Sequence, residues 1–177
     1  MNIKRLLSVA IIITLSLCLA SCSSFRTDAF TRDDNKIADT RFKKIIEALE
    51  NTDKEGLKKM FSTKAVEEAN DIDGGIEYLM ELYKGKIKSK DVALETSGSK
   101  DNGDKTVELK CYYTVTTDEE TYIVFFIEQI QDTSNTDNVG LYMLQIIKQI
   151  DEDKEFDWGS KTRCAGIYRP TITKNEM

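Results

Sequence analysis

Apolar residues first recur at a helical period in Phe42, Ile45, Ile46 and Leu49, while Lys43, Lys44, Glu47 and Glu50 occupy the opposite side. That spacing, from Ile37 onward, predicts an amphipathic helix with one buried stripe. Asn51-Thr52-Asp53 ends it, and Asp53 is placed to cap a second helix carrying Leu57, Met60 and Phe61. Ser62 caps a short piece with Ala65, Val66 and Ala69. Asp73 is expected to cap a third helix, with Ile76, Leu79, Met80 and Tyr83 on one side and Gly85 as its stop.

The period then changes to two. Val92 and Leu94 predict a short strand, followed by a turn cluster from Ser97 to Asp104. Val107, Leu109, Cys111, Tyr113 and Val115 alternate with polar or aromatic neighbours, as a strand with one buried face requires. Thr117 to Glu120 makes a turn. Tyr122 to Ile130 is apolar on both faces, which suits a central strand covered on both sides. The polar loop Asp132 to Asn138 lacks the glycine and closing glutamate of a calcium loop and reads as a hairpin connection. Leu141 to Ile150 is again strand-like, Asp151 to Glu155 is a charged turn, and Cys164 to Pro170 supplies an edge strand or a strap. Helices first and strands afterwards predict an α+β domain, its N-terminal helices packed on a curved antiparallel sheet of about four strands.

The first 22 residues follow a different pattern. Lys4 and Arg5 precede an apolar run from Leu6 to Ala20, interrupted only by Ser8, Thr14 and Ser16. The run is shorter than the roughly 20 apolar residues that span a bilayer core, and fits a secretory signal. It ends in Leu19-Ala20-Ser21-Cys22, which resembles the lipobox of bacterial lipoproteins. Cleavage between Ser21 and Cys22 leaves a thiol that carries a diacylglyceryl thioether, whereas Cys18 follows the bulky Leu17 and is a poor competing site. More than one acyl chain on Cys22 gives stable anchoring. The expected organisation is a signal peptide over residues 1–21, a lipidated tether over 22–34, one domain over 35–170 and a tail over 171–177. The expected place is the extracytoplasmic face of the cell membrane, held by the lipid on Cys22.

Composition narrows the function. Hydrophobic residues at 40% and charged residues at 32%, with one proline, are those of a folding domain. Loss of Lys4 and Arg5 with residues 1–21 leaves 23 basic against 31 acidic side chains, a net charge of −8, which disfavours nucleic acid. The chain has no histidine, which removes the commonest general base and transition-metal ligand. No cofactor and no metal site is expected.

The lipobox, the stretch EALENTDKEGLKKMFS, the strand TYIVFFIEQ, the segment NVGLYMLQI and the closing GIYRP resemble uncharacterised lipoproteins of Gram-positive bacteria that carry a domain of unknown function. The resemblance covers residues 37–170. It also implies a nuclear transport factor 2-like or cystatin-like cone, with a pocket at the open end of the sheet. It transfers no catalytic residue, and a fold of this kind fixes no function.

Within that frame Glu128 is the notable acid, because it shares a strand phase with Tyr122, Val124, Phe126 and Ile130. Read functionally it is a general base with a raised pKa; read structurally it reaches solvent from the strand end. Tyr113, Tyr122, Tyr142 and Trp158 either line a ligand pocket or pack the core and its rim. Lys84, Lys86, Lys88 and Lys90 either meet an anionic polymer or lipid, or guard a sheet edge. Cys111 and Cys164 either form a disulfide, which in the chain-entropy model contributes about 4 kcal/mol, or stay reduced with Cys111 in the core.

Three readings follow: a non-enzymatic domain that binds a small apolar ligand or a protein partner, an isomerase- or lyase-type enzyme pairing Glu128 with a tyrosine donor, and a homodimer formed through an open sheet face.

Overall fold

A computed structural model describes residues 33–170, and these fall almost wholly in the second of the two compact units of the chain, Asn35–Met177. The lipidation and cleavage positions Cys22 and Ser21, the signal peptide, nearly all of the tether and the tail 171–177 lie outside the described residues.

Helix α1 (Asp34–Glu50) begins three residues before the first apolar position that announced it, and buries Ala38, Phe42, Ile45, Ile46, Ala48 and Leu49. Asp53 caps α2 (Lys54–Lys58) by accepting from the Gly56 amide, and Ser62 caps α3 (Thr63–Glu68) by accepting from the Ala65 amide, both as expected. The cap of α4 (Ile72–Leu82) is Asp71, which accepts from the Gly74 amide. Asp73 stands instead in the first turn, because Ile72 must already be helical to be buried. The helix ends at Leu82 with Tyr83 extended, so Gly85 is part of the following connection and not the helix stop.

Five strands follow in spatial order β1 (Ile87–Asp101), β2 (Asp104–Thr117), β3 (Thr121–Asp132), β4 (Gly140–Lys148) and β5 (Gly166–Ile167), one more than the sequence pattern suggested. The first three pairings are antiparallel and β4–β5 is parallel. The expected short strand is fifteen residues long, and the turn cluster dissolves into it: Ser97 to Asp101 pair with Glu108 to Asp104. The turn itself is only Asn102-Gly103, both with positive φ.

Alternation divides the sheet between two cores. On the helix side, Leu109, Cys111, Tyr113, Val115, Tyr122, Val124 and Phe126 pack with the buried faces of α1 to α4. On the other side, Phe125, Ile127 and Met143 are covered by Phe156, Cys164 and Tyr168 of the chain after β4. The helical layer is stitched to β4 where Phe61 bridges Leu141, with Ser62 N–H donating to the Leu141 carbonyl at 2.9 Å. The result is an α+β fold with a curved, unclosed and mostly antiparallel sheet, compatible with a nuclear transport factor 2-like cone. Among the described residues no helix is long and apolar enough to cross a membrane.

Candidate functional site

Glu128 stands where two irregularities meet. Register slips between Ile127 and Glu128 against β4, and again in the β2–β3 pairing, where Val107 and Glu108 of β2 face Gln131 and Gln129, and such bulges re-aim side chains. Glu128 is turned toward α1, where its Oε1 accepts from Arg41 Nη2 at 2.6 Å. The expected escape to solvent is corrected: only 8% of the Glu128 side chain and 19% of the Arg41 side chain are exposed. Burial pushes the Glu128 carboxyl above the ordinary range, against the hydrogen bond and charge of Arg41 and the charge of Lys44. Its Oε2 is enclosed with no hydrogen-bond partner, an arrangement that costs about 1–3 kcal/mol.

Beside this pair lies a pocket of about 300 Å³ lined by Lys36, Ile37, Thr40, Arg41, Lys44 and Glu128. Five of the six come from α1, where Lys36, Thr40 and Lys44 recur every fourth residue and so share one helix face. No tyrosine lines it, so the hydroxyl donor required by the isomerase or lyase reading is not beside Glu128. Arg41 was not legible as a site residue from sequence. The available signal was an arginine bordering the apolar stripe of a helix, together with an unpaired acid in an apolar strand.

A second, larger hollow of about 480 Å³ runs between α1 and β1. Its apolar floor is Phe42, Ile46 and Ile87, and Asp39, Lys43, Glu47, Lys88 and Lys90 stand around it. The alternating lysines are held back onto the domain: Lys86 pairs with Glu50 at 3.2 Å, Lys88 approaches Asp118, and Lys90 binds Asp39. The bond from Lys90 is the main cause that lowers the Asp39 carboxyl below the ordinary range.

The four aromatic residues expected to line one pocket do not share one. Tyr113 is fully buried, stacked on Phe42 with centroids 4.0 Å apart, and its hydroxyl donates to Asp39 at 3.1 Å. Tyr122 is buried with its hydroxyl between the Leu82 carbonyl and the Lys84 amide. Tyr142 lies under the Arg163 guanidinium. Trp158 stacks on Tyr112 on the opposite sheet face and is 38% exposed. Tyr113 and Tyr122 fill the helix-side core, because the helix layer packs directly onto the sheet, whereas Tyr142 and Trp158 are only partly covered.

Cys111 and Cys164 are not joined to each other. Strand alternation sends Cys111 into the helix-side core, while Cys164 packs against the opposite one. The sheet between them rules out the geometry a bridge needs. Asp132 is saturated by donors from Asn138, Ser134 and Asn135, which hold its carboxyl down to about 2 and close the loop as a local turn. Among the described residues no group of three or more acidic or thiol side chains converges as a metal site.

Residues 44–149 match the model of a family described as Domain of unknown function (DUF5104). No curated protein matches the chain.

Proposed function

The chain belongs to that family of unknown function, whose model covers more than half of it, and on this premise we propose a lipid-anchored, extracytoplasmic module that binds a small apolar ligand without transforming it. The anchor half of the proposal rests on Leu19-Ala20-Ser21-Cys22 placed directly after a charged segment and a short apolar run. The binding half is carried by the hollow between α1 and β1. Its volume lies within the range of small-molecule sites, and its floor of Phe42, Ile46 and Ile87 offers contact area to an apolar group. The surrounding acids and lysines would keep a bound molecule oriented at its polar end.

One experiment addresses both halves. Cells grown with labelled palmitate should incorporate it into the wild-type chain and not into Cys22→Ser. Native mass spectrometry of the purified wild-type protein should then find a bound small molecule that is lost in Ile87→Lys, which puts a charge on the floor of the hollow. Equal labelling of Cys22→Ser would sink the anchor, and an identical bound mass in Ile87→Lys would sink the groove.

A further inference from the structure

We infer that the pocket on the other flank of α1 is an oxyanion site, in which Arg41, fixed by the buried Glu128, and Lys44 take the carboxylate or phosphate of a small ligand bearing a short aliphatic group. The pocket is separate from the hollow between α1 and β1, so this inference stands or falls independently of the anchor and of that groove.

Arg41 is the centre of the site. A guanidinium has five N–H donors in a rigid planar fork that matches a carboxylate or phosphate. Among the described residues Arg41 spends one nitrogen, Nη2, on Glu128, and its remaining donors make no hydrogen bond. The side chain is nevertheless four-fifths withdrawn from solvent, so those donors sit at the pocket wall and not in bulk water. Donors that are already desolvated and already oriented bind an anion at little further cost in ordering.

Glu128 explains why the fork stays in place. Its carboxylate is buried on the sheet side and joined to Arg41 across 87 residues of sequence. Its second oxygen has no solvent access and its first is taken by Arg41, so Glu128 acts through Arg41. It is a positioning residue. A buried polar oxygen left without a partner calls for an explanation of this sort.

The charge of the lining selects the sign of the ligand. Arg41 and Lys44 stand against one carboxylate, leaving a local excess of positive charge in a chain whose total is −6. An ammonium group or metal cation would be repelled there. Lys44 is exposed and makes no ion pair among the described residues, so its ammonium can meet an anion at the mouth. Thr40 already donates its hydroxyl to the Lys36 carbonyl at 2.7 Å, which leaves it no proton to compete with. Ile37 supplies the apolar wall for a short aliphatic group. At about 300 Å³ the space suits a short-chain carboxylate or a phosphomonoester.

The test is calorimetric titration of the full chain in a neutral detergent at low salt with butyrate, with inorganic phosphate and with ethylammonium. Saturable binding of butyrate or phosphate, and none of ethylammonium, is expected. Lys44→Ala, at an exposed position, should weaken that binding about tenfold. Arg41→Met would leave Glu128 buried and alone, so it is paired with Glu128→Leu. The double variant should keep its circular dichroism spectrum and lose binding altogether. Competition by a short-chain phosphatidylglycerol would identify the anion as a lipid headgroup, whereas competition by free acids alone would identify a soluble ligand. Absence of saturable binding by either anion, equal binding of ethylammonium, or undiminished binding in a folded double variant would overturn the inference.

Discussion

Arg41 and Glu128 set the most demanding electrostatic condition in the domain, since each is held away from water by the packing of α1 on β3. Arg41→Met leaves the carboxylate enclosed without its counter-charge and should cost about 3–5 kcal/mol at neutral pH. The cost should depend on pH in a definite direction. Burial already raises the carboxyl of Glu128, and Arg41 opposes that rise, so its removal lifts the value further. A carboxyl whose folded value is raised contributes stability below its unfolded value, and that contribution is lost as pH climbs through the folded one. The gap between wild type and Arg41→Met in urea unfolding should therefore narrow from about pH 7 to about pH 5; an unchanged gap would show that Glu128 does not titrate in this window. The sequence marked Glu128 as an acid in an apolar strand. It did not pair that acid with Arg41, because the partner is set by how a helix lies on a sheet 87 residues away.

Elements with a buried face were legible, and those without one were not. β2, β3 and β4 pack on at least one side and show it as alternation or as a continuous apolar run. β1 is exposed along its length apart from the half-buried Leu94, so Val92 and Leu94 mark only a short piece of it and nothing apolar marks its full length. What marks its end is the dipeptide Asn102-Gly103, a hairpin signal hidden inside a polar stretch that reads as a loop. The same blindness affects caps: Asp71 and Asp73 flank one helix start, and only burial of Ile72 separates them. The hairpin can be tested directly. Gly103 has φ +100, and no atom lies within 4 Å of the place a methyl group would take, so Gly103→Ala meets backbone strain and no clash. It should cost about 1 kcal/mol, and the loss should appear as faster hydrogen exchange in β1 and the facing half of β2 ahead of β3 and β4. Uniform acceleration across all four strands would mean that the hairpin does not open on its own.

At the scale of the molecule, the sheet is covered twice by different means. Helices cover one face and the irregular chain after β4 covers the other, so the open face expected to form a dimer is occupied over Phe125, Ile127 and Met143 by the protein's own residues. The strap is fitted closely: Phe156 meets Phe125 edge-on at 5.2 Å, Gln145 donates to the Glu155 carbonyl at 2.7 Å, and Lys110 donates to the Trp158 carbonyl at 3.1 Å. Gly159 is needed there, since a Cβ would stand 3.1 Å from Ile127 Cδ1 on a backbone with φ +64. None of this is periodic, and sequence reading could offer only a strap or an edge strand; the two-residue β5 is both. Fully burying a large apolar side chain stabilises by roughly 1.5–3 kcal/mol, so uncovering Phe125, Ile127 and Met143 together forfeits about 5–9 kcal/mol, a sum comparable to the whole stability of a domain. A chain stopped after Asp151 should therefore be largely unfolded, or escape unfolding by self-association through the bared face. Light scattering and thermal unfolding distinguish these from the alternative: a truncated chain that stays monomeric with an unchanged melting temperature would show that the strap is dispensable. The full-length protein should remain monomeric under the same conditions, because its strap covers Phe125, Ile127 and Met143 and, along the edge of β1, Lys88 and Lys90 oppose pairing with a second copy.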